Sequence, residues 1–148
     1  MKKTISLSVA LVSGLLFMTI PSQAQAQNTQ VLVSGIRSGN GQLLLNVFKD
    51  NETYDKGKPF KTFAFDKKGL ADGKLVVPCA LEPGVYGITL VDDENGNGKI
   101  DKNLVGMPKE GFGFSNFFME KMKKTVFNDF KVDLSSANAR VEIKVKYM

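Results

Sequence analysis

The clearest pattern in the chain is an alternation of apolar and polar residues near its C-terminus. Val141, Ile143, Val145 and Tyr147 alternate with charged residues, and the segment 130–134 repeats the pattern. Successive side chains of a β-strand point to opposite faces of a sheet. The period of two therefore predicts strands with one face in a core and the other in water.

Short apolar runs broken by Gly, Asn, Asp and Pro recur about every dozen residues, and helical periodicity is nearly absent. This rhythm is typical of an all-β sandwich or barrel. The run at 42–49 is apolar on both faces except at Asn46, which predicts a central strand. Pro78 cannot donate to a ladder, which predicts a strand end or an edge. We predict seven strands, at 30–34, 42–49, 60–65, 74–77, 85–92, 125–134 and 140–147, a flexible loop at 51–59 and one short helix within 115–124.

Residues 1–26 have the features of a secretory signal peptide. A short basic start, Met1-Lys2-Lys3, precedes a largely apolar run over 5–20, and Ala24-Gln25-Ala26 is a small-residue cleavage site, with cleavage after Ala24 as an alternative. We predict a signal peptide at 1–26, a single β-sandwich domain at 27–148 and a periplasmic or extracellular location. A transmembrane anchor is the alternative, but the run is shorter than the roughly 20 residues that a spanning helix needs.

Composition narrows the possible chemistry. The chain is 43% hydrophobic and 24% charged, which is globular, and it contains no histidine and no tryptophan. The lack of histidine excludes Ser-His and Cys-His nucleophiles and every His-containing metal site. Cys79 is the only cysteine, so no intrachain disulfide can form, and its apolar neighbours predict a buried side chain in preference to a reactive thiol.

Charge gives little evidence for a polyanionic partner. Loss of Lys2 and Lys3 with the leader lowers the formal net charge from +5 to +3. The remaining lysines are scattered along alternating segments, as on solvated strand faces, so we expect no nucleic-acid partner.

The segment 92–101 carries the most informative motif. It follows D-x-[DN]-x-[DN]-G, the first half of the EF-hand calcium loop. By this spacing Asp93, Asn95 and Asn97 are side-chain ligands, Lys99 offers its backbone carbonyl and Asp101 occupies the ninth position. Hard oxygen ligands without sulfur or imidazole select calcium over transition metals. We predict a structural Ca²⁺ site, with an ion-free Asx- and Gly-rich connection as the alternative.

The motif departs from the EF-hand at its end. Position 12 is Leu104 where the EF-hand has a bidentate glutamate, and the loop follows a strand. A further carboxylate must close the shell, and Asp92 and Glu110 are both candidates. With few carboxylates we expect weak binding, about 10⁻⁴ to 10⁻³ M, as in extracellular modules.

Two further segments are candidate contact surfaces. The phenylalanine-rich stretch 106–116, with Phe117 and Phe118, predicts a long loop that either forms a ligand-facing platform or folds back to cap the core. The stretch 119–124 mixes methionines with lysines, which is compatible with a membrane-surface contact or with a solvated turn.

Together these residues resemble a known family. The segments Gly35-Ile36-Arg37-Ser38 and 81–86, the Asp-Asn-Gly loop and the stretch 106–116 are similar to domain-of-unknown-function family 2141 over 30–147. The resemblance implies an exported bacterial protein with a seven-stranded immunoglobulin-like or transthyretin-like β-sandwich, and it implies no activity. Members often carry a Gly-Pro-Pro turn before the penultimate strand, and here residues 117–124 replace it.

We therefore expect a binding or structural module of the bacterial envelope without catalytic residues. Its partner would be an envelope protein or a glycan, and no integral membrane segment would remain after cleavage. One alternative is a glycoside hydrolase that pairs Glu110 with Asp92 or Asp101. Another is an accessory subunit of an envelope complex, which would show an exposed apolar patch.

Overall fold

The computed structural model describes residues 26–136 and 138–148. Except for Ala26, the predicted signal peptide lies outside the described residues. No helix in the described part of the chain is long and apolar enough to cross a membrane. The elements are β1 (Gln27–Ser34), β2 (Gln42–Phe48), α1 (Asn51–Asp55), β3 (Lys61–Asp66), β4 (Lys74–Leu81), β5 (Val85–Asp93), β6 (Gly111–Phe114), α2 (Phe127–Phe130), β7 (Lys131–Asp133) and β8 (Val141–Lys144).

The strands form two sheets. A three-stranded sheet has the order β4-β1-β8, and a five-stranded sheet contains β3-β2-β5, with β6 and β7 following each other along the free edge of β5. β1 pairs antiparallel with β4 but parallel with β8, so Val31 lies opposite Val141. Pro78 lies within β4, an edge strand, as its missing N–H requires.

The main core lies between the sheets and consists of every second residue of the strands. Burial of such an aliphatic side chain contributes about 1.5–3 kcal/mol. Cys79 belongs to this core and is fully buried, as predicted, and burial raises the pKa of its thiol to about 12. The three-stranded sheet contributes Val31, Val33, Leu75, Val77, Leu81, Val141 and Ile143, and the five-stranded sheet contributes Leu43, Leu45, Val47, Ile88 and Leu90.

A second apolar cluster covers the opposite face of the five-stranded sheet, and we call it the outer cluster. This cluster explains why β2 is apolar on both faces. The order of the strands confirms the predicted central position of β2, which lies between β3 and β5. Ring pairs such as Phe114–Phe130, with centroids 5.2 Å apart, hold the cluster together. The cluster consists of Phe48, Phe112, Phe114, Met119, Phe127 and Phe130.

The structure has eight strands where the sequence pattern predicts seven. The additional strand, β6, lies in the stretch predicted as a phenylalanine-rich loop. Its glycines alternate with its phenylalanines because one face is in tight contact: a Cβ on Gly113 would lie 2.5 Å from Ile143 Cγ2 and 2.9 Å from the Lys144 carbonyl oxygen. The prediction failed here because glycine hides a period of two from any hydrophobicity pattern.

The short helices also differ from the prediction. The predicted loop at 51–59 contains α1, which Asp50 caps by accepting a hydrogen bond from the Thr53 N–H at 2.8 Å. The stretch 115–124 is not helical, since Asn116 adopts a φ of 50° and Phe117 bridges back to Phe114. The predicted strand at 125–134 shortens to β7, preceded by α2.

Candidate functional site

The predicted metal site is the segment 93–101, which we call the Asx loop. It begins where β5 ends, beside the turn between β1 and β2. Gly41 in that turn approaches the loop so closely that a Cβ would lie 1.9 Å from the Asp93 carbonyl oxygen. Only glycine fits there, and the φ of 71° at Gly41 also lies in the left-handed region that favours glycine. The sequence therefore fixes the start of the Asx loop against the end of the sandwich.

Asp93 anchors the turn of the loop. Its carboxylate is fully buried and accepts hydrogen bonds from the Gln42 side chain at 2.7 Å and from the backbone N–H groups of Asn97 at 3.0 Å and Gly98 at 2.8 Å. Burial opposes ionisation, but these donors, with the Gly96 N–H, outweigh it and lower the pKa of Asp93. Asp93 is thus a carboxylate directed into the loop.

The two asparagines converge on Asp101. The Asn95 and Asn97 side-chain amides donate to Asp101 Oδ2 at 2.6 and 2.8 Å. Each asparagine also closes an Asx turn, because Asn95 Oδ1 accepts from the Asn97 N–H and Asn97 Oδ1 accepts from the Lys99 N–H, both at 3.0 Å. The structure therefore brings these predicted ligands together around one carboxylate.

Glu110 completes this arrangement from outside the motif. A hairpin over 101–109 carries the chain back to the loop, with the Lys109 N–H bonded to the Asp101 carbonyl at 2.8 Å. Glu110 is 5% exposed and accepts from the Asp101 N–H through Oε2 at 3.1 Å. Its other oxygen, Oε1, is buried and has no hydrogen-bond partner among the described residues. A buried carboxylate oxygen without a partner is costly, so we expect a proton donor or a cation to satisfy it.

Asp92, the other candidate for closing the shell, belongs to a different network. Its side chain is fully buried, forms an ion pair with Lys67 and accepts a hydrogen bond from the Tyr147 hydroxyl. Lys67 also donates to the Ser38 carbonyl at 3.1 Å. Asp92 is thus unavailable both as a loop ligand and as a carboxylate facing a substrate cleft.

No sequence pattern predicts this buried network, which extends to the surface. Burial, then the hydrogen bond to Asp92, raises the pKa of Tyr147. The Arg37 guanidinium lies 4.2 Å from the centre of the Tyr147 ring and donates to both carboxylate oxygens of Glu94. Arg37 is the leading cause of the lowered pKa of Glu94. These contacts join the ends of three strands and the C-terminus directly beside the Asx loop.

The predicted contact surfaces are partly buried. Phe112 and Phe114 are 6% and 9% exposed and belong to the outer cluster, so their rings are buried as the capping interpretation predicted, but they lie on the strand β6 and not on a loop. Met119 is also buried, whereas Phe118 and Met122 are 42% and 46% exposed.

The described residues contain no group of three or more His, Cys, Asp or Glu side chains arranged to hold a metal ion. A cation at the Asx loop would therefore depend on asparagine and backbone oxygens as well as on carboxylates. Calcium accepts such mixed sets of six to eight oxygens.

A comparison with protein-family models gives one match. The model described as "Uncharacterized protein conserved in bacteria (DUF2141)" covers residues 31–142. No curated protein and no solved structure matches the chain. The matched range includes the Asx loop, Glu110 and the strands on both sides of them.

Proposed function

Because the chain belongs to this family of uncharacterised bacterial proteins, which assigns no activity, we propose from its own residues that it is an exported β-sandwich module of the bacterial envelope. It serves a binding or structural role, and calcium orders its Asx loop. We also propose that the two sheets form an immunoglobulin-like or transthyretin-like sandwich, which is supported by the way β1 links β4 and β8.

The unpartnered Glu110 oxygen carries the calcium proposal. Asp93, Asp101 and Glu110 lie within one short loop and its hairpin, although their side chains do not form a ready-made metal-ligating group, and Glu110 Oε1 has no hydrogen-bond partner among the described residues. Asn95, Asn97 and the Lys99 carbonyl add neutral oxygens by the motif spacing. This oxygen-only set suits calcium. Glu110 would then supply the carboxylate that the EF-hand has at position 12, where this chain has Leu104.

The ion would have a structural role. It would compensate the clustered negative charge and fasten the hairpin over 101–109 to the end of β5. At a calcium concentration ten times the dissociation constant, binding would stabilise the fold by about 1.4 kcal/mol. This corresponds to a rise of several degrees in melting midpoint for a domain of this size.

Thermal unfolding with calcium and with excess chelator tests the proposal. We expect the midpoint to rise at millimolar calcium, and Glu110→Gln to remove most of the rise. In chelator, Glu110→Gln should be at least as stable as the parent protein, because it neutralises a buried unpartnered carboxylate. The exposed Glu120→Gln serves as the matched control and should keep the full calcium response. Asp93→Ala should abolish it. A midpoint that does not respond to calcium would refute the calcium site.

Location requires a separate experiment. We expect protein recovered from the periplasm or the medium to begin at Gln27, as its intact mass would show. Recovery only of unprocessed chain from the cytoplasm would refute the envelope assignment and leave the calcium measurement unaffected.

A further inference from the structure

An open groove of about 570 Å³ lies over the outer face of the five-stranded sheet, and we call it the outer groove. Phe112 and Phe114 of the outer cluster form its floor together with Val91. The Asx loop, through Ile100, and the hairpin after it, through Pro108, form part of the lining, and the methionine- and lysine-containing segment 119–124 forms another part. Its volume falls within the range of small-molecule sites, which is roughly 300–1,000 Å³.

The groove carries a positive rim. Lys102, Lys123 and Lys124 line it, against one acidic residue, Asp55. Lys124 pairs with Asp55 at 3.3 Å, and Lys123 lies 3.9 Å from the carboxylate of Asp129 outside the lining. Lys102 forms no ion pair among the described residues, so it can receive an anionic group.

A buried hydroxyl lies behind this rim. Thr125 is 3% exposed and lines the groove next to Lys124. Its Oγ1 is shielded from solvent and lies close to the Tyr54 phenol. The positive character of the rim therefore rests on its lysines, and above all on Lys102.

We propose that the outer groove binds a single-chain anionic amphiphile, such as a long-chain carboxylate. The alkyl chain would lie on the aromatic floor against Met119 and Met122, whose flexible thioethers adapt to irregular shapes. The headgroup would reach Lys102. This inference rests on the proposed binding role, for which it supplies a ligand class.

The floor is poorly suited to an extended peptide. A peptide that adds a strand needs a free sheet edge. At β6 that edge is occupied, because Phe112 donates to and accepts from the Lys146 backbone at 3.0 and 2.8 Å. The groove offers side chains in place of backbone donors, as an alkyl chain requires.

Titration calorimetry with dodecanoate at monomeric concentrations tests the inference. We expect one ligand per chain. Hexanoate, shorter by six methylenes, should bind at least about a hundredfold more weakly. Dodecyltrimethylammonium, whose alkyl chain is one carbon longer and whose headgroup is positive, should also bind more weakly. Equal affinity for the short or the cationic probe, or no binding of dodecanoate, would overturn the inference.

Variants locate the ligand. Lys102→Glu should weaken dodecanoate binding roughly three- to tenfold, since it turns an attraction into a repulsion. Met122→Glu places a charge at the exposed side of the groove and should weaken binding without affecting the fold. Lys74→Glu makes the same charge change on the three-stranded sheet and should leave affinity unchanged. An equal loss for Lys74→Glu and Lys102→Glu would show non-specific attraction and overturn the groove as the site.

Two alternative occupants and the calcium proposal can be distinguished in the same preparation. Binding to anionic vesicles without binding of monomeric dodecanoate would indicate a membrane-contact surface and overturn the inference. A dimer that forms without ligand and is abolished by Met122→Glu would indicate that a second copy of the chain occupies the groove, and it would also overturn the inference. If calcium raises the melting midpoint while dodecanoate does not bind, only the groove inference fails. If neither acts, the proposed function fails with it.

Discussion

The buried ion pair between Lys67 and Asp92 should be one of the most sensitive points of the fold. Their side chains are 1% and 0% exposed, and Lys67 also donates to the Ser38 carbonyl at 3.1 Å. Lys67→Met keeps most of the apolar stem of the side chain but leaves the Asp92 charge without its partner. Removing one member of a buried pair costs about 3–5 kcal/mol, because the remaining charge stays desolvated.

A double variant separates the cost of leaving the Asp92 charge unpaired from the net contribution of the ion pair to stability. A well-packed apolar replacement of both members of a buried pair is often neutral or stabilising. Lys67→Met with Asp92→Leu should therefore be more stable than Lys67→Met alone, although the Tyr147 hydroxyl then loses its acceptor, at a cost of about 1–3 kcal/mol. The single variant should melt roughly 10–20 °C below the parent protein.

The neighbouring lysine provides a matched control. Lys68 also pairs with an aspartate, Asp66, at 3.3 Å, but its side chain is 89% exposed. Lys68→Met should change stability by less than about 0.5 kcal/mol. Urea unfolding followed by circular dichroism measures all three variants. If Lys67→Met costs no more than Lys68→Met, the reasoning from burial is wrong.

Three other predictions concern the loop, the sheet contact and the thiol. The pKa of Asp93 is lowered in the folded state, so its contribution to stability is present above the unfolded value of about 3.9 and is lost as the pH falls through the lower folded value. Asp93→Asn should therefore flatten the loss of stability in acid, and an unchanged acid-unfolding curve would contradict the hydrogen bonding of its carboxylate. Gly113→Ala should cost about 1–3 kcal/mol in chemical unfolding because of the contact with Lys144, whereas Gly39→Ala, whose Cβ meets nothing within 4 Å, should be tolerated. With a pKa of about 12, Cys79 should resist Ellman's reagent at pH 8 in the native protein and react fully in denaturant, and rapid native labelling would contradict its burial.

The sequence predicts those strands whose side chains alternate. The core-facing positions of Val141 and Ile143 in β8 and the two apolar faces of β2 were correctly inferred, because burial on one or both faces leaves a direct pattern of hydrophobicity. β6 was missed because glycine supplies one of its faces, and α1 because Asp50 and Thr53 form a cap within a stretch that is polar throughout.

The candidate site could be predicted only in its local part. Spacing located Asn95, Asn97 and Asp101, which interact within one loop. It could not rank Glu110 above Asp92, because that choice depends on the hairpin that returns the chain to Asp101 and on the burial of Lys67. Lys67 lies between two charged residues, Asp66 and Lys68, so its sequence neighbours predict a solvated side chain. Its burial follows only from tertiary packing.

The parallel pairing of β1 with β8 makes completion of the smaller sheet dependent on a strand far along the chain. Until Val141 and Ile143 pair with it, β1 has an open edge at Val31 and Val33. Almost the whole domain separates the two paired segments, so this contact is among the most non-local of the described fold. We therefore expect the smaller sheet to close late in folding, after the antiparallel pairing of β2 with β3.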